Sequence, residues 1–143
     1  FANLSGAILT GANLVYASLL SVDLTDAHLY AAIMRGVNFD GANLAGAILG
    51  QADLTDANLT NAKLTYADLY AANLTGANLG GADLTDAYLY GANLTGANMS
   101  GANLTGAYLN EANLTYADLT DLNLNGVNLT GANLTGATRK KRP

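Results

Sequence analysis

Leucine returns at every fifth residue along nearly the whole chain: Leu4, Leu9, Leu14, Leu19, Leu24 and Leu29, then Leu44 through Leu94, then Leu104 through Leu134. Two residues before each stands a small apolar residue, usually alanine, and the unit A-[N/D]-L-x-x recurs without insertion. Strict internal repetition constrains a fold more than composition does. In an extended chain alternate side chains share a face, so each Ala and the Leu two residues on point inward together. The next Ala lies three residues further. That odd offset turns it outward unless the chain bends between each Leu and the following Ala, so the period demands a corner in every repeat. A helix cannot satisfy it, because five residues advance about 500° at 3.6 residues per turn and leave successive leucines about 140° apart, with no common apolar face.

The glycines fit such corners. Of 16 in the chain, all but Gly50 and Gly80 fall two residues after the central position, where a type II turn needs positive φ and glycine supplies it without steric cost. Asp26, Asp56, Tyr66, Ala71, Asp86, Glu111 and Tyr116 occupy equivalent corners. Positive φ is costly for these side chains, so type I turns are expected there.

This pattern resembles the pentapeptide repeat family, from Ala2 to Ala137. The resemblance implies an all-β fold, a right-handed quadrilateral parallel β-helix with one repeat per side and therefore four repeats per coil. The sequence echoes at that spacing: the stretch from Leu64 to Asn78 closely parallels the one from Leu84 to Asn98. About seven coils spaced by about 4.8 Å give a rod about 33 Å long. Residues 1–138 form this solenoid and 139–143 a basic tail. The interior is expected to stack leucines, with Met34, Phe39 and Met99 replacing Leu at the centre. Val22, Val37, Leu122 and Val127 replace the small residue and should widen the coil or shift a corner, Leu122 most of all. The columns Asn73/Asn93/Asn113/Asn133, Asn38/Asn58/Asn78/Asn98 and Thr55/Thr75/Thr95/Thr115/Thr135 are expected to exchange side-chain hydrogen bonds between coils.

A solenoid needs polar caps, and neither Phe1 nor the run Arg139-Lys140-Lys141-Arg142-Pro143 supplies one. The expectation is a fragment of a longer chain or an end that pairs with another copy. The basic run is a solvated terminus or a contact with something anionic. No stretch reads as a signal peptide or membrane span, so no membrane insertion is expected. The absence of cysteine leaves the redox compartment open.

The formal net charge is −5, yet before the tail only Arg35 and Lys63 oppose the acids. Some pentapeptide repeat proteins mimic duplex DNA and bind DNA gyrase, which makes a topoisomerase-binding DNA mimic the alternative function. Mimicry needs carboxylates lined up along the rod. The pairs Asp23/Asp26, Asp53/Asp56 and Asp83/Asp86 instead recur every one and a half coils, on opposite sides. Direct nucleic-acid binding is not expected.

Enzyme chemistry finds little support. His28 is the single histidine and no cysteine is present. Asp68 shares its column but stands two coils away, about 10 Å, behind Ile48. Asp-Leu-Thr-Asp lacks the dense oxygen spacing of a calcium loop. No catalytic residue, cofactor or metal is assigned.

One wall departs from the others. Around Leu9, Leu29, Leu49, Leu69, Leu89, Leu109 and Leu129, the residue before each leucine is Ile8, His28, Ile48, Asp68, Tyr88, Tyr108 and Asn128; Tyr30, Tyr70 and Tyr90 follow three of them. Five of the eight tyrosines gather there. Such a strip suits a protein partner or a second copy, although the same rings could serve only to stabilise the sheet. The sequence therefore points to a non-catalytic scaffold for protein–protein interaction. Its candidate interface is Ile8, His28, Tyr30, Ile48, Tyr70, Tyr88, Tyr90 and Tyr108. The regularity resembles cyanobacterial members of the family.

Overall fold

The computed structural model describes residues 1–140. Parallel bridges join Asn3 to Asp23, Ile8 to His28, Asn13 to Ile33 and Ser18 to Asn38, and the pattern continues up the chain. Each bridge spans one 20-residue coil (23 − 3 = 20). Four bridges per coil make four walls. Wall one is centred on Leu4 and every twentieth residue after it, wall two on Leu9, wall three on Leu14 and wall four on Leu19. The residue before each centre faces outward and carries the bridge. The centre's own N–H donates to the next coil, as Leu24 does to the Asn43 carbonyl at 2.7 Å.

Every corner is the same turn. The Leu4 carbonyl accepts the Ala7 N–H at 3.0 Å, and Gly6 between them has φ 67°. The corners without glycine match it: φ is 58° at Asp26 and Tyr66, 56° at Asp56 and Asp86, 53° at Ala71 and 59° at Glu111 and Tyr116. The type I turns expected there are thus replaced by the positive-φ turn. The reason is collective. The N–H of each of these non-glycine corners bonds the adjacent coil, Asp26 to Ala45 at 2.9 Å and Tyr66 to Thr85 at 3.0 Å, and a different turn would break that rung. One ladder bond and the stacking around it offset a left-handed cost of about 1–2 kcal/mol.

A large corner side chain leaves its mark one coil further on. A Cβ added at Gly36 would lie 2.5 Å from the Tyr16 ring, and Gly136 sits equally close beneath Tyr116. Asp26, Asp56, Asn61, Asp86 and Glu111 likewise reach over Gly46, Gly76, Gly81, Gly106 and Gly131. Glycine at those corners leaves room for the side chain of the preceding coil.

The interior is wholly apolar between Val22 and Leu119, with no buried polar side chain. Met34, Phe39 and Met99 sit at the centre with no exposure, as expected. Val22 and Val37 are also absorbed. Leu122 is not. Asn103 forms no bridge to Asn123, and among the described residues Leu104 and Gly106 lack the bonds to the coil above that Leu84 and Asp86 make to Asn103 and Thr105. The break in the ladder falls on wall one of the seventh coil, beside Leu122, where extra methylenes stand in a position that other repeats give to a small residue.

Few of the expected polar ladders form. The hydroxyls of Thr55, Thr75, Thr95, Thr115 and Thr135 each donate to the Asp or Asn two residues earlier in their own repeat, whose Oδ1 also accepts the Thr N–H. This local bond wins because it closes a short turn with little entropy to lose. Coil-to-coil bonds survive on wall four, where Asn58 donates to Asn38 at 3.3 Å and Asn98 to Asn78 at 3.2 Å. At the far end the Asp121 N–H reaches the Lys140 carbonyl at 3.1 Å. The rest of the expected basic tail, residues 141–143, lies outside the described residues.

Candidate functional site

Alternation along wall two turns residues 68 and 70 outward in one coil and 88 and 90 outward in the next, while Leu69 and Leu89 are fully buried behind them. The parallel register then puts like positions one above another, and two aromatic stacks result. Tyr88 and Tyr108 lie with ring centroids 4.8 Å apart and planes 6° from parallel. Tyr70 and Tyr90 lie 5.8 Å apart at 7°. These four rings remain 42–51 % exposed, so each pair contacts its mate through one face and offers the rest to solvent.

The other members of the expected strip behave differently. Tyr30 covers Gly50, whose missing side chain leaves space for the ring: a Cβ there would lie 3.2 Å from it. This explains one glycine that is not at a corner. Tyr30 is therefore separated from the Tyr70 stack by Gly50. Ile8 is 72 % exposed in the first coil, His28 is exposed, and Ile48 is half-buried between His28 and Asp68 in the bridge column.

Two residues outside the expected set complete the site. Tyr66, at the corner leading into wall two, and Asp68 join Tyr70, Tyr88 and Tyr90 in lining an open trough of about 420 Å³. The signal for Tyr66 lies one coil on. Tyr16 and Tyr116 extend over glycines, but the corner above Tyr66 is Asp86, whose Cβ occupies that space. Asp68 Oδ1 accepts the Tyr70 N–H at 3.0 Å, and among the described residues no cation pairs with its carboxylate.

On walls one and three, Asp23, Asp53 and Asp83 each accept a hydrogen bond from the threonine two residues on. On wall three Arg35 Nε donates to Asp53 Oδ2. Partial burial raises the Asp53 pKa, but hydrogen bonds from the Thr55 hydroxyl and from Arg35 outweigh it and hold the group below the usual carboxylate range. The Thr25 hydroxyl and N–H lower Asp23 in the same way. The paired acids fall on wall one at Asp23 and Asp83 and on wall three at Asp53, and do not form one row. Among the described residues no group of three or more His, Cys, Asp or Glu could hold a metal ion, and no helix is long and apolar enough to cross a membrane.

Comparison with known proteins bears on this architecture. Eight copies of the pentapeptide repeat profile match residues 2–41, 38–76, 67–106 and 107–138. Among solved structures, HetL of the cyanobacterium Nostoc sp. PCC 7120, involved in heterocyst differentiation regulation, is 34% identical over 95% of this chain and 73% of its own, with a TM-score of 0.60. A pentapeptide repeat protein of the Arabidopsis thaliana thylakoid lumen is 36% identical over 64% of each chain, with a TM-score of 0.63. A second Nostoc PCC 7120 protein is 34% identical over 76% of this chain and 84% of its own, at 0.57. No curated protein sequence matches. With its four-walled parallel coils matched along almost their whole length, the chain belongs to the pentapeptide repeat family and has its right-handed quadrilateral β-helix.

Proposed function

We propose that this protein is a non-catalytic, rigid scaffold that engages a protein partner through wall two. The observation that carries this reading is the pair of parallel tyrosine stacks, Tyr70/Tyr90 and Tyr88/Tyr108, held half-exposed on one wall. The other walls present mostly Asn, Asp and Thr that bond within their own repeats. Tyrosine anchors association well because it brings large apolar area and a polar tip at low conformational cost. Rigidity favours it further, since rings fixed by a 2.7–3.0 Å backbone ladder lose little entropy on binding.

The test is selection of short displayed peptides against the chain, followed by affinity measurement on two variants. Tyr88→Glu/Tyr108→Glu should weaken selected peptides about 30-fold or more, the scale of a hot-spot loss of about 2 kcal/mol. Asp23→Asn/Asp83→Asn on wall one should leave them unchanged. The reverse pattern, with salt-sensitive binding lost on neutralising the aspartates, would replace this reading by mimicry of an acidic polymer such as DNA.

A further inference from the structure

Tyr88 is the end of its aromatic column. Tyr108 covers one face, and on the other side the neighbour in the bridge column is Asp68, not a ring. Within its own coil Asp68 is flanked by Tyr66 at the corner and Tyr70 on the wall, and all of these line the trough with Tyr90. A half-buried carboxylate without a cation among the described residues is thus framed by tyrosines on three sides.

Resting on the reading of wall two as a contact surface, we propose that this trough binds an arginine side chain of the partner protein. The chemistry selects arginine. A carboxylate calls for a cation with N–H donors, and the Tyr70 N–H uses only Oδ1, leaving Oδ2 to accept. A quaternary ammonium has no donor to give it. Lysine offers donors but no plane, whereas a guanidinium can lie against the Tyr88 face left open at Asp68 while pairing with the carboxylate edge-on. The trough is open and about 420 Å³, ample for one side chain.

The experiment follows the tyrosine ring resonances of the intact chain by NMR during titration with a glycine-flanked arginine peptide. Parallel titrations use the citrulline, lysine and trimethyllysine analogues. Shifts at Tyr66, Tyr70 and Tyr88 with arginine are expected, with citrulline about tenfold weaker. Asp68→Asn should cost a similar factor. That variant keeps the Oδ1 acceptor for the Tyr70 N–H, as Asn73 and Asn93 do for Thr75 and Thr95, so the fold is preserved. Citrulline or the Asp68→Asn variant performing as well as the parent pair would overturn the proposal. Tighter binding of trimethyllysine would do the same and make the trough an ammonium cage. Shifts confined to Tyr30 and Tyr108 would also end the arginine assignment while leaving wall two a contact surface. Failure of wall two itself is read separately, from displayed peptides indifferent to Tyr88→Glu/Tyr108→Glu.

Discussion

Walls two and three have the same skeleton and opposite surfaces. Behind both, buried residues such as Leu69 and Leu74 fill the rod, and both carry the same rungs, Leu69 to Tyr88 and Leu74 to Asn93 at 2.7 Å. Wall three then satisfies its own polar groups, with Asn73, Asn93 and Asn113 each accepting two bonds from the following threonine. Wall two replaces those pairs with rings that satisfy nothing and stay half-exposed. Tyrosine itself occurs in both settings. At the corners after wall three, Tyr16 and Tyr116 extend over Gly36 and Gly136, whereas on wall two the rings stack on one another. In a solenoid, then, the interior and the ladder carry stability, and an outward column can be changed with little effect on the rod.

The largest effects should be blind to the difference. Leu69→Ala and Leu74→Ala each remove a fully buried side chain. Each should cost about 2–5 kcal/mol by denaturant unfolding, and by similar amounts. A large inequality would mean that the walls are not equivalent inside.

An intermediate effect should separate them. Asn93→Ala removes the acceptor of both the Thr95 N–H and hydroxyl and should cost about 1 kcal/mol. Tyr88→Ser should cost less than that, about 0.5 kcal/mol at the lower end of the stacking range, because the ring is 51 % exposed. If the tyrosine change proves the more damaging to stability, the stacks are structural and wall two loses its claim as a surface for recognition.

The smallest effect concerns pH. The Asp53 carboxyl sits below its ordinary range in the folded state, held there by Thr55 and Arg35 against the effect of burial. Its contribution is therefore complete above the unfolded carboxylate pKa and is lost as pH falls through the lower folded value. Asp53→Asn should flatten that acidic limb slightly, while Asp68→Asn should change peptide binding instead. Melting curves collected from neutral to acidic pH would show how much of the linkage Asp53 carries beside Asp23 on wall one, whose carboxyl is lowered by Thr25.

Much of this was legible in the sequence because a five-residue register leaves no freedom. The corners, the buried column from Leu24 to Leu119, the tyrosine wall and the broken bridge beside Leu122 all follow from position within the repeat. The backbone of the non-glycine corners did not follow, since the preferences of Asp26 or Tyr66 favour another turn and are overridden by rungs that exist only once coils stack. The threonine columns misled in the opposite direction. Their regular vertical spacing suggests bonds between coils, but each hydroxyl finds the nearer oxygen in its own repeat. Tyr66 and the trough escaped notice because alternation says which wall residues face outward but not where a corner ring leans. That depends on Asp86, twenty residues away.

The central claim, that wall two recognises and the rest of the rod supports, can be tested on all eight tyrosines of the chain at once. The measurement is chemical footprinting of tyrosine with and without a selected peptide, read by mass spectrometry. The account predicts protection of Tyr70, Tyr88, Tyr90 and Tyr108 with unchanged labelling of Tyr16 and Tyr116. Protection of the two corner tyrosines with the wall still reactive would contradict it.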